Sequence, residues 1–160
     1  MYERLRRLSG AEICTWAAAA AAAAGAIVVL LVPAGHTNRV AGVAVPFGVA
    51  TALLVANGIA WRRLGMIGAA LDGVAALALF YGIVLALSVP VRLSIEGLCQ
   101  PSAKSCPVGF DYPLSNAENF AVYATLVIGA IGVALSFVAF EIKYLHRGRR
   151  RPDLSAPPAP

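Results

Sequence analysis

Hydrophobic positions in this chain come in four long blocks separated by short polar stretches. Ala11–Val32, Val40–Ala60, Gly65–Pro90 and Asn116–Tyr144 are each almost free of charge. At 1.5 Å rise per residue, about 20 apolar residues cross a hydrocarbon core roughly 30 Å thick, and every block reaches that length. The pattern predicts an all-α integral membrane protein, a bundle of four transmembrane helices. Its first 146 residues form one domain, and positions 147–160 form a basic, Pro/Ala-rich cytoplasmic tail expected to be disordered.

The polar stretches mark how the spans connect. PAGHTNR (Pro33–Arg39) reads as a tight turn, and Pro46 predicts a kink or a ragged first turn in the second span. Trp61, Arg62 and Arg63 form an aromatic and cationic anchor with almost no linker after it, so the second and third spans should make a tight helical hairpin. Val91–Ser115 is the one sizeable loop, with Cys99 and Cys106. Ser115 or Asn116 is placed to cap the fourth span, with Glu118 in its first turn.

Composition agrees: 59% of the 160 residues are hydrophobic and 13% charged. The formal net charge of +5 is no nucleic-acid signal, because the basic residues flank the apolar blocks. Ten of the thirteen Lys/Arg lie in the leader, the Arg62–Arg63 turn and the segment from Lys143 onward, while Arg39, Arg92 and Lys104 lie in the other two connections. The positive-inside rule then places both termini in the cytoplasm and the cysteine loop outside. The basic leader and first block also fit a signal peptide cut after Ala34, but the block is long for a cleaved segment, which favours a retained span. Arg62, Arg63, Arg147, Arg149, Arg150 and Arg151 are candidates for anionic lipid headgroups, a role equally explained by topology.

Three features carry candidate chemistry. Cys99 and Cys106 on the oxidising side predict a structural disulfide, with thiol redox work as an alternative. Glu12, Asn57, Asp72 and Glu141 each lie roughly 7–14 Å inward of a basic anchor, an inner polar layer. Asp72 is the most costly of these in lipid, at about 2.5–3.5 kcal/mol, so it should be neutral, paired or facing protein. A relay for protons or cations is one reading. An ion pair with Arg62, Arg63 or Lys143, or a contact with a partner subunit, is the other, and it is favoured because the outer halves of the spans offer only scattered hydroxyls. Finally, small residues recur at helical spacing: Gly65, Ala69, Gly73 and Ala76 beside Asp72, then Gly129, Gly132 and Ser136 in the fourth span. Such rows suit close helix contact.

His36 and His146 are the only histidines and stand at opposite boundaries, so no pair can sandwich a haem, and no Cys/His cluster has metal-ligand spacing. No phosphate loop or nucleophile motif appears either, so the expectation is a non-enzyme without cofactor or metal.

The four-span layout with a cysteine-bearing loop between spans three and four resembles that of tetraspanins, without their Cys-Cys-Gly signature. It is similar in helix count and cysteine pair to the four-helix quinone-linked disulfide-generating proteins, without a C-x-x-C. In composition, the Ala/Gly-rich spans and Pro-Ala tail resemble small actinobacterial membrane proteins, among them accessory subunits of respiratory and lipid-import complexes. The expectation is a non-catalytic accessory or regulatory subunit of an inner-membrane complex, a transporter above all, with other integral membrane subunits as partners. The alternatives are a homo-oligomeric transporter or channel using Asp72 and a thiol redox protein using Cys99 and Cys106.

Overall fold

A computed structural model describes residues 9–31, 40–100 and 105–148; the side chains of 61–65 and 144–148 fall outside the description. Among the described residues there are three helical stretches: α1 (Gly10–Leu31), α2 (Ala44–Glu96), preceded by a 3-10 turn at Ala41–Val43, and α3 (Asn116–Gly148). Four segments are long and apolar enough to cross a membrane: Gly10–Leu31, Ala41–Ala60, Met66–Glu96 and Asn116–Lys143. The protein is therefore an all-helical, multi-pass membrane bundle. Among the described residues the only extended pairing is one isolated bridge between Leu98 and Asp111.

Two of the four spans lie in one helical stretch. Straight, the 53 residues of α2 would be about 80 Å long. Instead, Asn57 Nδ2 donates to Gly68 O and to Asp72 Oδ1, and Phe47 lies against Gly82. Those contacts require the chain to fold back on itself near 64–65, which is the hairpin anticipated from the Trp61–Arg63 anchor. The start of the second span is the 3-10 turn followed by α-helix, with Pro46 in the first helical turn, where its missing N–H costs least.

The third span departs from the sequence expectation. Pro90 does not end it; helix continues to Glu96, carrying an Arg92–Glu96 pair at 3.9 Å. Proline removes one backbone hydrogen bond, but Val89 and Leu93 on either side are both buried, and their packing holds the helix on course. The loop is correspondingly shorter than Val91–Ser115. At its end, Ser115 and Glu118 form a capping box, Ser115 N–H donating to Glu118 Oε2 (2.8 Å) and Glu118 N–H to Ser115 Oγ (3.2 Å). Ser9 and Glu12 repeat the device at the start of the first span.

The core has a single register. One row of buried positions, flanked by the also buried Ala19, Pro46, Gly58, Ala69 and Ala121, runs 11, 15, 18, 22, 25, 29 in the first span and 40, 43, 47, 50, 54, 57 in the second. In the third they run 68, 72, 75, 79, 82, 86, 89, 93, and in the fourth 118, 122, 125, 129, 132, 136, 139. Steps of three and four alternate throughout, the 3.5-residue period of a left-handed helical bundle. The contacts of Thr15 and Asn57 with Asp72, of Leu79 with Gly132, and of Phe47 with Gly25, Gly82 and Gly129 fix how these rows align, and the residue spacing sets the layers between and beyond them. From the hairpin end toward the cysteine end, one layer holds Thr15, Asn57, Asp72 and Ala139. The next hold Ala18, Leu54, Ala75 and Ser136; then Ala22, Ala50, Leu79 and Gly132; then Gly25, Phe47, Gly82 and Gly129; then Val29, Val43, Ala86 and Thr125. In three successive layers one large side chain faces three small ones, so layer volume stays nearly even and the helices approach closely. Lipid tails are as apolar as leucine, so this close packing, with polar contacts, is what holds helices together in a bilayer.

Candidate functional site

Every span contributes to one polar cluster near the hairpin end. Asp72 is fully buried and is the hub. Its Oδ2 accepts from Lys143 Nζ in an ion pair in which the lysine side chain is 11% exposed and the aspartate 0%. Its Oδ1 accepts from Asn57 Nδ2 at 2.6 Å and faces Thr15 Oγ1 at 3.4 Å; Thr15 also has Ala11 O at 3.0 Å, so its one hydrogen is shared. Asn57 Nδ2 and Lys143 Nζ both reach Gly68 O, at 2.9 and 3.3 Å.

Geometry explains why Lys143 is the cation. In a helix the Cα–Cβ bond tilts toward the N-terminus. The fourth span starts at the cysteine end, so Lys143, one layer nearer the hairpin end, leans back onto Asp72. The third span runs the other way, and Asp72 leans to meet it. A lone carboxylate in lipid is expensive, and so is a lone ammonium; paired and hydrogen-bonded, each removes the other's cost. This is the ion pair anticipated for Asp72, with Lys143 as the partner.

The other residues expected in an inner polar layer separate. Asn57 belongs to the cluster. Glu12 works as a capping residue, and Glu141 is exposed. Thr15 was not anticipated, lying ahead of an alanine run that hides its phase; the three–four spacing of Ala11, Thr15, Ala18 and Ala22 is the signal that places it inward. The small residues are used inside the bundle. A Cβ at Gly129 would come 2.8 Å from Ile83 Cγ1 and 3.0 Å from Phe47 Cζ, and one at Gly132 3.0 Å from Leu79 Cδ1. Ser136 is fully buried and Ala69 buried. A Cβ at Gly73 would lie 4.0 Å from Phe140 Cδ2 of the fourth span. Gly65 stands at the reversal of the hairpin. The side chains of Arg62, Arg63 and Arg147, and all of Arg149, Arg150 and Arg151, lie outside the described residues.

Phe47 is the second organising residue. It is fully buried and occupies a socket made by Gly25, Gly82 and Gly129 from the three other spans. Its ring fills the layer two steps beyond Ser136, between the polar cluster and the cysteine end.

At that far end Cys99 and Cys106 lie at disulfide distance, their Cα atoms 5.9 Å apart. Cys99 N–H donates to Asp111 O (2.9 Å) and Asp111 N–H to Gly97 O (3.2 Å), so backbone hydrogen bonds close the loop beside the cysteine pair. Gly97 takes φ +86°, and a Cβ there would come 2.9 Å from the Phe110 ring, so glycine is required twice over. Cys14 is the remaining thiol. Alkylating the denatured, unreduced protein should therefore label one cysteine, Cys14, and labelling after reduction should reach three. Mass spectrometry reads the difference, and three labels without reduction would refute the bond. Closing so short a loop is worth about 2–3 kcal/mol in a chain-entropy account.

Among the described residues, no three His, Cys, Asp or Glu side chains come together as a metal-binding group. No family model matches the chain, and neither a curated protein nor a solved structure matches it.

Proposed function

We propose that this protein is a non-catalytic accessory or regulatory subunit of a larger complex of the bacterial inner membrane, a transport complex such as one that imports lipid. Both termini face the cytoplasm and the Cys99–Cys106 loop faces outward, on the strength of the Lys/Arg distribution. One observation carries the reading. The loop has its two cysteines at disulfide distance and the Leu98–Asp111 bridge across it, yet Leu98, Val108 and Phe110 stay exposed, Val108 entirely so. A fastened backbone that holds apolar side chains outward, beyond the ends of the spans, is suited to binding another protein at low entropic cost.

The internal use of Asp72 points the same way. Its charge is matched by Lys143 within one copy, so it needs no partner subunit, and a homo-oligomeric channel assembled around it loses its main support. Thiol redox work fits less well too, because Cys99 is buried within its loop.

Mild-detergent purification of the tagged protein from its native membrane, followed by mass spectrometry, tests the proposal. It should bring down other integral membrane chains at fixed stoichiometry. Recovery of the protein alone, or as a pure homo-oligomer, counts against it.

A further inference from the structure

Among the described residues, three fully buried side-chain polar atoms make no hydrogen bond to another protein group: Asn57 Oδ1, Ser136 Oγ and Thr125 Oγ1. For the two hydroxyls this is a departure from the rest of the bundle. Thr15, Thr51, Ser88 and Ser94 all donate to a carbonyl of their own helix, at 3.0, 2.8, 2.6 and 2.6 Å. That back-bonding is the usual way a membrane helix satisfies a hydroxyl. Ser136 and Thr125 share a helix and a core-facing seam, and neither uses it.

Their surroundings differ. By the three–four spacing of the core rows, Thr125 falls level with the buried Val29, Val43 and Ala86, whose side chains carry no polar group. Ser136 is one layer from Asn57 and Asp72. Asn57 cannot be turned around, because both hydrogens of Nδ2 are committed to acceptors, Gly68 O and Asp72 Oδ1. Its Oδ1 therefore remains an acceptor on the other branch of the amide, in need of a donor. By the three–four spacing between the Asp72 contacts and the Leu79–Gly132 contact, Ser136 falls level with the buried Ala18, Leu54 and Ala75, two of them the smallest side chains with a Cβ.

We propose that Asn57 Oδ1 and Ser136 Oγ hold a single buried water between them, seated against the Asp72–Lys143 pair and closed off toward the cysteine end by the Leu79 and Phe47 layers. A water supplies the donor that Asn57 Oδ1 requires, and it has the two or more polar partners that a buried water needs. A cation is the wrong ligand. The one negative charge here is already matched by Lys143, and a second cation would leave the interior with net positive charge. The site goes beyond the accessory-subunit reading and does not depend on it. Its role is to complete the hydrogen bonding of Asn57, which holds the second span to the third.

The sign of a small substitution tests it. In the purified full-length protein, Ser136→Ala should lower the thermal midpoint by a few degrees, because removing the hydroxyl strands Asn57 Oδ1. Thr125→Val should leave the midpoint unchanged or raise it, because it removes a hydroxyl that serves nothing. A map that shows ordered water should place one peak within about 3.2 Å of both Asn57 Oδ1 and Ser136 Oγ. Replacing sodium by potassium or choline at constant ionic strength should not move the midpoint. The proposal is overturned if Ser136→Ala stabilises the protein or leaves it unchanged, if the map shows no such peak, or if the midpoint follows the identity of the cation.

Discussion

Replacing Asp72 by leucine should destabilise the bundle by about 3–5 kcal/mol, and replacing Lys143 by methionine should cost nearly as much. Each variant leaves one charge buried without its partner, and that uncompensated charge, rather than the lost bond, sets the cost. The double variant Asp72→Leu/Lys143→Met should recover most of the loss, since an apolar pair of similar volume removes both charges together. Urea or thermal unfolding in detergent micelles, read on all four proteins, gives the coupling energy. A double variant as unstable as the sum of the singles would show that the two residues act independently. Part of the Asp72 cost survives in the double variant, because Asn57 and Thr15 also lose their acceptor on Oδ1.

The second large effect lies at Phe47. Truncation to alanine should cost about 3–5 kcal/mol, the range for deleting a buried phenylalanine. The reciprocal change is more diagnostic. Glycine to alanine in a helix is ordinarily stabilising by about 1 kcal/mol. At Gly25 the new Cβ would come 2.5 Å from Phe47 Cδ1 and Cε1, and at Gly82 2.6 Å from Cε2. Both rings edges are held by glycines on opposite sides, so the ring has nowhere to move. Gly25→Ala and Gly82→Ala should each destabilise by about 1–3 kcal/mol. Joined to Phe47→Leu, either should cost less than the two singles summed, because leucine frees the space the methyl needs. Gly48, where an added Cβ meets nothing within 4 Å, is the control: alanine there should be neutral or stabilising.

Both sites lay partly in view in the sequence. Asp72 declared itself as the one acid in its span, since a charge so deep in an apolar block needs a partner. The partner was harder to choose. Arg62, Arg63 and Lys143 all stand near the same membrane boundary, and only the antiparallel register of spans three and four selects Lys143. Thr15 was hidden because alanine carries no phase information; a run of identical small residues reads alike on every helical face. Phe47 was overshadowed by Pro46, whose effect on the backbone is easily anticipated, while the glycines that receive its ring come from three distant parts of the chain. Gly129, Gly132 and Ser136 were legible as a packing face. Whether such a face meets a partner or the chain's own helices is a question of tertiary placement that spacing alone leaves open. The block Gly65–Pro90 ended short of the helix, which runs on past Pro90 to Glu96 because burial of Val89 and Leu93 outweighs the lost backbone bond.

The proposed function implies a division of labour in which the polar interior holds the bundle together and the loop of Cys99 and Cys106 binds partner chains. Comparative co-purification from native membranes tests that division most directly. Three forms are tagged and isolated in parallel: the natural sequence, the interior variant Asp72→Leu/Lys143→Met, and the loop variant Val108→Asp/Phe110→Ser. The account predicts that the natural and interior forms bring down the same membrane chains at the same stoichiometry, while the loop variant is folded and alone. Retention of those chains by the loop variant together with their loss from the interior variant would contradict it.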